Sequence, residues 1–118
     1  MDDFLILAAR AHPDRLALID GDQRLTYAEL NTAVAELSSR LTAHGIQQGQ
    51  RVAILLDRSR DAVTLIHALV RIGTSLVPLN TRLTVDEMQY QVDNAACDWI
   101  LRTTQDAPIQ ASTHVDDL

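Results

Sequence analysis

The sequence contains no lysine. Its ten basic residues are all arginine: Arg10, Arg15, Arg24, Arg40, Arg51, Arg58, Arg60, Arg71, Arg82 and Arg102. No side-chain amine is therefore present to grip a phosphate or form a Schiff base. Cysteine is almost absent as well. Cys97 stands alone, which excludes an internal disulfide and, inside an apolar stretch, suits a packed residue better than a nucleophile. The four glycines, at 21, 45, 49 and 73, lie far apart, so neither a GxGxxG nor a GxxxxGK[ST] phosphate loop occurs. No run approaches the roughly 20 apolar residues that cross a bilayer, so no membrane span is expected. Asp2 and Asp3 occupy the place where a secretory leader is basic. A cytoplasmic setting is expected on those grounds. The net charge of −6 leaves no basic surface with which to displace counterions from nucleic acid. His12, His44, His67 and His114 lack metal-ligand spacing, and no metal site is expected.

What is present is a strong apolar pattern. Apolar residues make up 47% of 118 residues, enough for one small domain with a core. Residues 2–12 carry a helical stripe closed by Pro13, with Asp2 and Asp3 at the positive end of its dipole. Leu16–Ile19 and Gln23–Leu25 flank Asp20-Gly21-Asp22 as a small hairpin. Thr26 and Glu29 form a capping box for a helix with the stripe Leu30, Val34, Leu37, Leu41, ended by Gly45. Residues 52–56 (VAILL) read as a strand buried on both faces. Ser59 caps a helix to Ile72 that is apolar nearly all round and should be covered from several sides; His67 within it is expected to pack in the core. Ser75–Leu79 is the next strand. Thr84 and Glu87 form a second capping box for a helix to about Asn94, and Asp98–Arg102 closes the pattern as a third parallel strand.

The fold expected is α/β: an N-terminal helix and hairpin leading into a β-α-β-α-β parallel-sheet segment, doubly wound with right-handed crossovers. Three strands are few for a sheet covered on both faces, so the pattern reads as part of a larger domain. One unit spans 1–118, with an ordered core at about 2–102. Residues 103–118 read as a polar tail or a truncated continuation. Exposed flanks of such a piece would favour self-association.

Two polar clusters follow strands, where open α/β sheets bind ligands. Asp57-Arg58-Ser59-Arg60-Asp61 reads either as a solvated loop with local ion pairs and a cap, or as a ligand site. Ser59 has no nucleophile-elbow pattern around it, so hydrolase chemistry is unsupported. Asn80-Thr81-Arg82 occupies the equivalent position after the next strand. Arg82 either braces the helix behind it or presents its forked donors to a phosphate.

The blocks LTYAEL (25–30), GIQQGQRVAILL (45–56), ALVRIGTSLVPLNTRLT (68–84) and DEMQYQVDNAACDWIL (86–101) together resemble the N-terminal region of the adenylate-forming superfamily. That group comprises acyl- and aryl-CoA synthetases, adenylation domains of nonribosomal peptide synthetases, and luciferases. The resemblance implies a parent enzyme that uses ATP and Mg2+ to convert a small carboxylic acid into an acyl-adenylate. The CoA ligases of the group then transfer the acyl group to CoA. PLNTRLT with QYQV is most similar to the o-succinylbenzoate–CoA ligases of menaquinone biosynthesis, with medium- and long-chain acyl-CoA ligases close beside them. LTYAEL and LLDRS resemble the peptide synthetases, and Leu56–Asp61 departs from the usual LPNSPE of CoA ligases. By the same resemblance the phosphate loop, adenine site and catalytic lysine would lie beyond residue 118. These residues would then be scaffold: no catalytic residue, no metal ligand, no tightly bound cofactor, and Arg82 as a contact to the phosphates of CoA. Two alternatives stand beside this reading: a peptide-synthetase adenylation domain, and a stand-alone binding or assembly module.

Overall fold

A computed structural model describes residues 3–109 and 111–118 of the chain. Asp2, expected at the start of the first helix, lies outside the described residues. Helix α1 is Phe4–Ala11, with the Asp3 carboxylate accepting from the N–H of Ile6 at 2.9 Å as its N-cap. Strands β1 (Leu16–Asp20) and β2 (Gln23–Thr26) form an antiparallel hairpin. Helix α2 (Tyr27–His44) begins with the expected box. Thr26 Oγ1 accepts from Glu29 N–H at 3.2 Å, and the Glu29 carboxylate accepts from Thr26 N–H at 3.0 Å. Gly45 ends it at φ +118°, a conformation that costs glycine no steric energy.

Strand β3 (Arg51–Leu55), helix α3 (Arg60–Ile72), strand β4 (Ser75–Pro78), helix α4 (Val85–Asn94) and strand β5 (Trp99–Arg102) follow in order. β4 and β5 each pair parallel with β3, one on either side. On one face Val52, Ile54 and Leu101 pack with Leu65, Ala68 and Leu69 of α3 and with the Leu30–Leu41 stripe of α2. On the other, Ala53, Leu55 and Ile100 pack with Met88 and Val92 of α4. The two crossover helices therefore lie on opposite faces, as a doubly wound sheet requires.

Two expectations change. Residues 103–118 do not trail away as a polar tail. They fold back so that Thr113–His114 adds a fourth strand, β6, parallel to β5, giving the order β4-β3-β5-β6. A short 3-10 turn, Val115–Asp117, follows. Ile109 and Val115 are buried and supply the apolar anchors, too widely spaced for a periodicity to show. His67, in turn, is only half-buried, not a core residue. α3 buries Ala62, Thr64, Leu65, Ala68 and Leu69. Val63, His67 and Val70 share its opposite stripe, where Val70 is 55% exposed.

Arg71 joins three helices. Its Nε donates to Asp3 Oδ2 at 2.7 Å and its Nη2 to Asn31 Oδ1 at 2.8 Å, with the Arg71 and Asp3 side chains 18% and 22% exposed. Burial by itself raises the Asp3 carboxyl. The Arg71 hydrogen bond and charge, with the Ile6 N–H, outweigh that and hold it below the ordinary aspartate range. A carboxylate depressed in the folded state contributes stability above its unfolded pKa and loses it as pH falls through the folded one. Asp3→Asn keeps the cap acceptor but not the charge. It is expected to lower stability by about 0.5–1 kcal/mol at pH 7 and to converge with the parent sequence in strong acid. Urea denaturation of the 118-residue chain at both pH values checks this; a gap that persists in acid would show that the charge is not the cause.

Candidate functional site

All four parallel strands run toward one edge, where the segments after β3, β4 and β5 gather. Between β3 and β5 the chain departs toward opposite faces, which in open α/β sheets leaves a crevice for ligand. Here that crevice is closed. Thr103, 3% exposed, donates its hydroxyl to Asp57 Oδ1 at 2.9 Å and accepts from the Asp57 N–H at 3.1 Å. The Ser59 hydroxyl donates to the same carboxylate oxygen and caps α3 by accepting from Ala62 N–H at 3.3 Å. Thr103 N–H donates to the Leu55 carbonyl at 3.1 Å.

The Asp57–Asp61 cluster is thus a lock between two strand ends, built from hydroxyls. Among the described residues it contains no ion pair, in contrast to the local pairs expected. Arg60 contributes its backbone, whose N–H donates to Asp20 Oδ2 at 3.1 Å and seats the hairpin on α3. His114, which the sequence set aside as a metal ligand and gave no other role, is buried behind the lock. Its Nε2 lies 3.2 Å from the Thr103 carbonyl, and its Nδ1 accepts from Asp116 N–H at 3.1 Å. Both contacts are satisfied by the neutral ring protonated at Nε2.

The open side of the edge lies at the segment after β4. Leu79 is buried and donates its N–H to the Ile54 carbonyl at 2.8 Å. Asn80 then closes a turn, its Oδ1 accepting from Arg82 N–H at 2.9 Å and its carbonyl from Leu83 N–H at 3.1 Å. Thr84 and Glu87 form the second expected capping box. Arg82 is exposed, and among the described residues its guanidinium has neither hydrogen bond nor ion pair. Thr81 and Leu83 on either side of it line a cleft of about 290 Å³, closed below by Leu55 and Met88 and opposite by Thr104, Asp106 and Pro108. Arg102 holds that opposite wall by donating Nη1 to the carbonyls of Thr104 and Gln105.

A larger depression of about 500 Å³ lies between α2, the start of α3 and the C-terminal turn. Glu29, Glu36, Asp61 and Asp116 line it with Arg40 and Arg60, and Arg40 is engaged with the Val115 carbonyl at 2.8 Å. Its acidic balance does not suit a phosphate. Cys97 is half-buried; burial pushes its thiol above the ordinary range, with Arg51 opposing and Asp98 adding, so the reactive thiolate is disfavoured. Among the described residues no group of three or more His, Cys, Asp or Glu side chains is placed to hold a metal ion, and no helix is long and apolar enough to cross a membrane.

The family model of AMP-binding enzymes matches residues 6–117. The chain belongs to the AMP-binding enzyme family. It is 37% identical over 95 residues to a 2-succinylbenzoate–CoA ligase of Bacillus cereus, an alignment covering 80% of this chain and 20% of that protein. The solved O-succinylbenzoate coenzyme A synthetase of Bacillus subtilis, in complex with ATP and magnesium ion, superposes with a TM-score of 0.91 at 30% identity. That match covers 99% of this chain and 33% of the other. An adenylation–carrier di-domain of a Klebsiella oxytoca peptide synthetase reaches a TM-score of 0.86 at 22% identity over 95% of this chain and 22% of its own, a likeness of fold. The chain thus spans about one fifth of the length of the curated relatives it matches.

In this member of the family the four resembling blocks fall on the β2–α2 junction, the turn into β3, the α3–β4–Asn80 stretch, and α4 with β5. Thr103 lies just past the last of them. Thr103→Val would take the hydroxyl away from the Asp57 N–H and carboxylate, the carboxylate keeping its Ser59 donor, and is expected to cost about 0.5–1.5 kcal/mol, with Thr103→Ser retaining most of the stability. Urea denaturation of the three sequences measures it; a loss for Thr103→Ser with none for Thr103→Val would assign the contribution to the methyl group instead of the hydroxyl.

Proposed function

We propose that residues 1–118 are the N-terminal part of the large AMP-binding domain of an AMP-forming acid–CoA ligase, with o-succinylbenzoate as its acid. The observation that carries this reading is the family match over residues 6–117 together with 37% identity over 95 residues to a Bacillus ligase. The parent enzyme would convert a carboxylate and ATP, with Mg2+, into acyl-adenylate and pyrophosphate, then transfer the acyl group to the thiol of CoA with release of AMP. The weaker likeness to the Klebsiella protein makes a peptide-synthetase adenylation domain the second reading.

In this proposal the segment is scaffold. It carries no lysine and no glycine-rich phosphate loop, so it lacks a backbone cradle for the triphosphate of ATP. One residue does fit a ligand group: Arg82, exposed beside the 290 Å³ cleft and, among the described residues, without a partner for its guanidinium, matches a phosphate of CoA in charge and donor geometry. Support for the assignment is the donor chemistry and its place at the C-terminal edge of the sheet.

Two outcomes follow. The 118-residue chain alone is expected to give no carboxylate-dependent ATP–pyrophosphate exchange, while the full-length ligase gives it with o-succinylbenzoate; exchange by the short chain refutes the scaffold role. Arg82→Ala in the full-length enzyme is expected to weaken CoA binding about 10- to 100-fold, the range for loss of a charge-assisted hydrogen bond. An unchanged CoA affinity, measured by calorimetry, would remove Arg82 from the CoA site.

A further inference from the structure

The turn that presents Arg82 has a property that the assignment of Arg82 does not itself require. Leu79 is buried and hydrogen-bonded to β3, and Leu83 packs against the cluster of Leu55, Met88 and Val92. Between these anchors only Asn80, Thr81 and Arg82 face solvent. Asn80 closes them from both sides, with its side-chain oxygen on the Arg82 N–H at 2.9 Å and its carbonyl on the Leu83 N–H at 3.1 Å. The Arg82 backbone is thereby set before any ligand arrives, which reduces the ordering cost of binding.

The chemistry of the acceptor matters as much as its position. Three carboxylates lie near Arg82 in the chain or across the cleft: Asp86, Glu87 and Asp106. Glu87 is engaged with the Thr84 N–H at 3.1 Å. Among the described residues neither Asp86 nor Asp106 forms an ion pair with the guanidinium. The group that touches the Arg82 backbone is a neutral carboxamide. A carboxylate of the same shape would keep the turn, since aspartate makes the same local bond, but would set a negative charge two residues from the guanidinium and beside an incoming phosphate.

We propose that Asn80 is a positioning and specificity-determining residue for the phosphate-bearing thiol substrate. It holds the Arg82 backbone in place and, being uncharged, leaves the guanidinium open to an external phosphate. This rests on the reading of Arg82 as a CoA contact, and the experiment separates the two.

In the full-length ligase, the Kd for CoA is measured by calorimetry for the parent sequence, Asn80→Asp, Asn80→Ser and Arg82→Ala, with melting temperatures to verify folding. KM is measured for CoA and for pantetheine, which bears no phosphate. Asn80→Asp keeps the turn and is expected to weaken CoA about five-fold, the upper size of an exposed charge–charge effect. Asn80→Ser, a neutral short acceptor, should stay within about two-fold of the parent. The pantetheine KM should be the same in all of them. If Arg82→Ala weakens CoA but Asn80→Asp does not, the role of Asn80 is wrong and that of Arg82 stands. If Arg82→Ala has no effect, both fall. Equal losses for CoA and pantetheine in Asn80→Asp would show a change of loop shape and overturn the proposal.

Discussion

Strand β3 has no face toward water. Val52, Ala53, Ile54 and Leu55 are each at most 2% exposed, and their side chains alternate between two separate apolar clusters. A fully buried Val, Leu or Ile side chain is worth roughly 1.5–3 kcal/mol, so both faces must be covered for the strand to form. Its backbone groups have no access to solvent either and need a neighbouring strand on each side. β4 and β5 meet that need in parallel register. Parallel neighbours in turn require crossovers, here α3 and α4, one on each face.

The rest of the architecture follows from covering those two faces unequally. The α3 face is thick: α2 lies over α3, and α1 is joined to both through Arg71. The α4 face is thin, with Met88, Val92 and Ile109 as its main buried contributors. Depressions remain on both sides of the sheet. The crevice between β3 and β5 is sealed by Thr103, Asp57 and Ser59, while the α4 side keeps a cleft between the Asn80–Leu83 turn and the Thr104–Pro108 wall. Arg82 lies between Thr81 and Leu83 of that lining, exposed and, among the described residues, without a partner for its guanidinium.

Membership in the AMP-binding family places this arrangement in context. A segment covering a fifth of a relative's length can contribute sheet and packing surface without contributing the reacting groups. What this segment does hold is the Arg82 backbone, fixed on the sheet edge by the Asn80 carboxamide.

Much of this was legible in the residues because it is local. Thr26 with Glu29, Thr84 with Glu87, and Ser59 with Ala62 each act across three positions, and both Gly45 and Gly73 end helices at positive φ. The VAIL run of β3 announced burial on two faces by its continuity, and the order of elements implied the parallel sheet. Arg82 was visible as the charged residue following a strand, but its lack of a partner was not. Tertiary structure alone decided the remainder. Thr103 meets Asp57 across 46 positions of sequence, a contact for which no short-range spacing rule exists. The same holds for residues 103–118: Ile109, His114 and Val115 are too isolated to make a periodic pattern, and Thr113–His114 became strand only because β5 presented an unpaired edge. The sequence by itself determined which residues want apolar surroundings and where helices start and stop. The surroundings they actually receive, and which crevice stays open, depend on groups that meet only once the chain has folded.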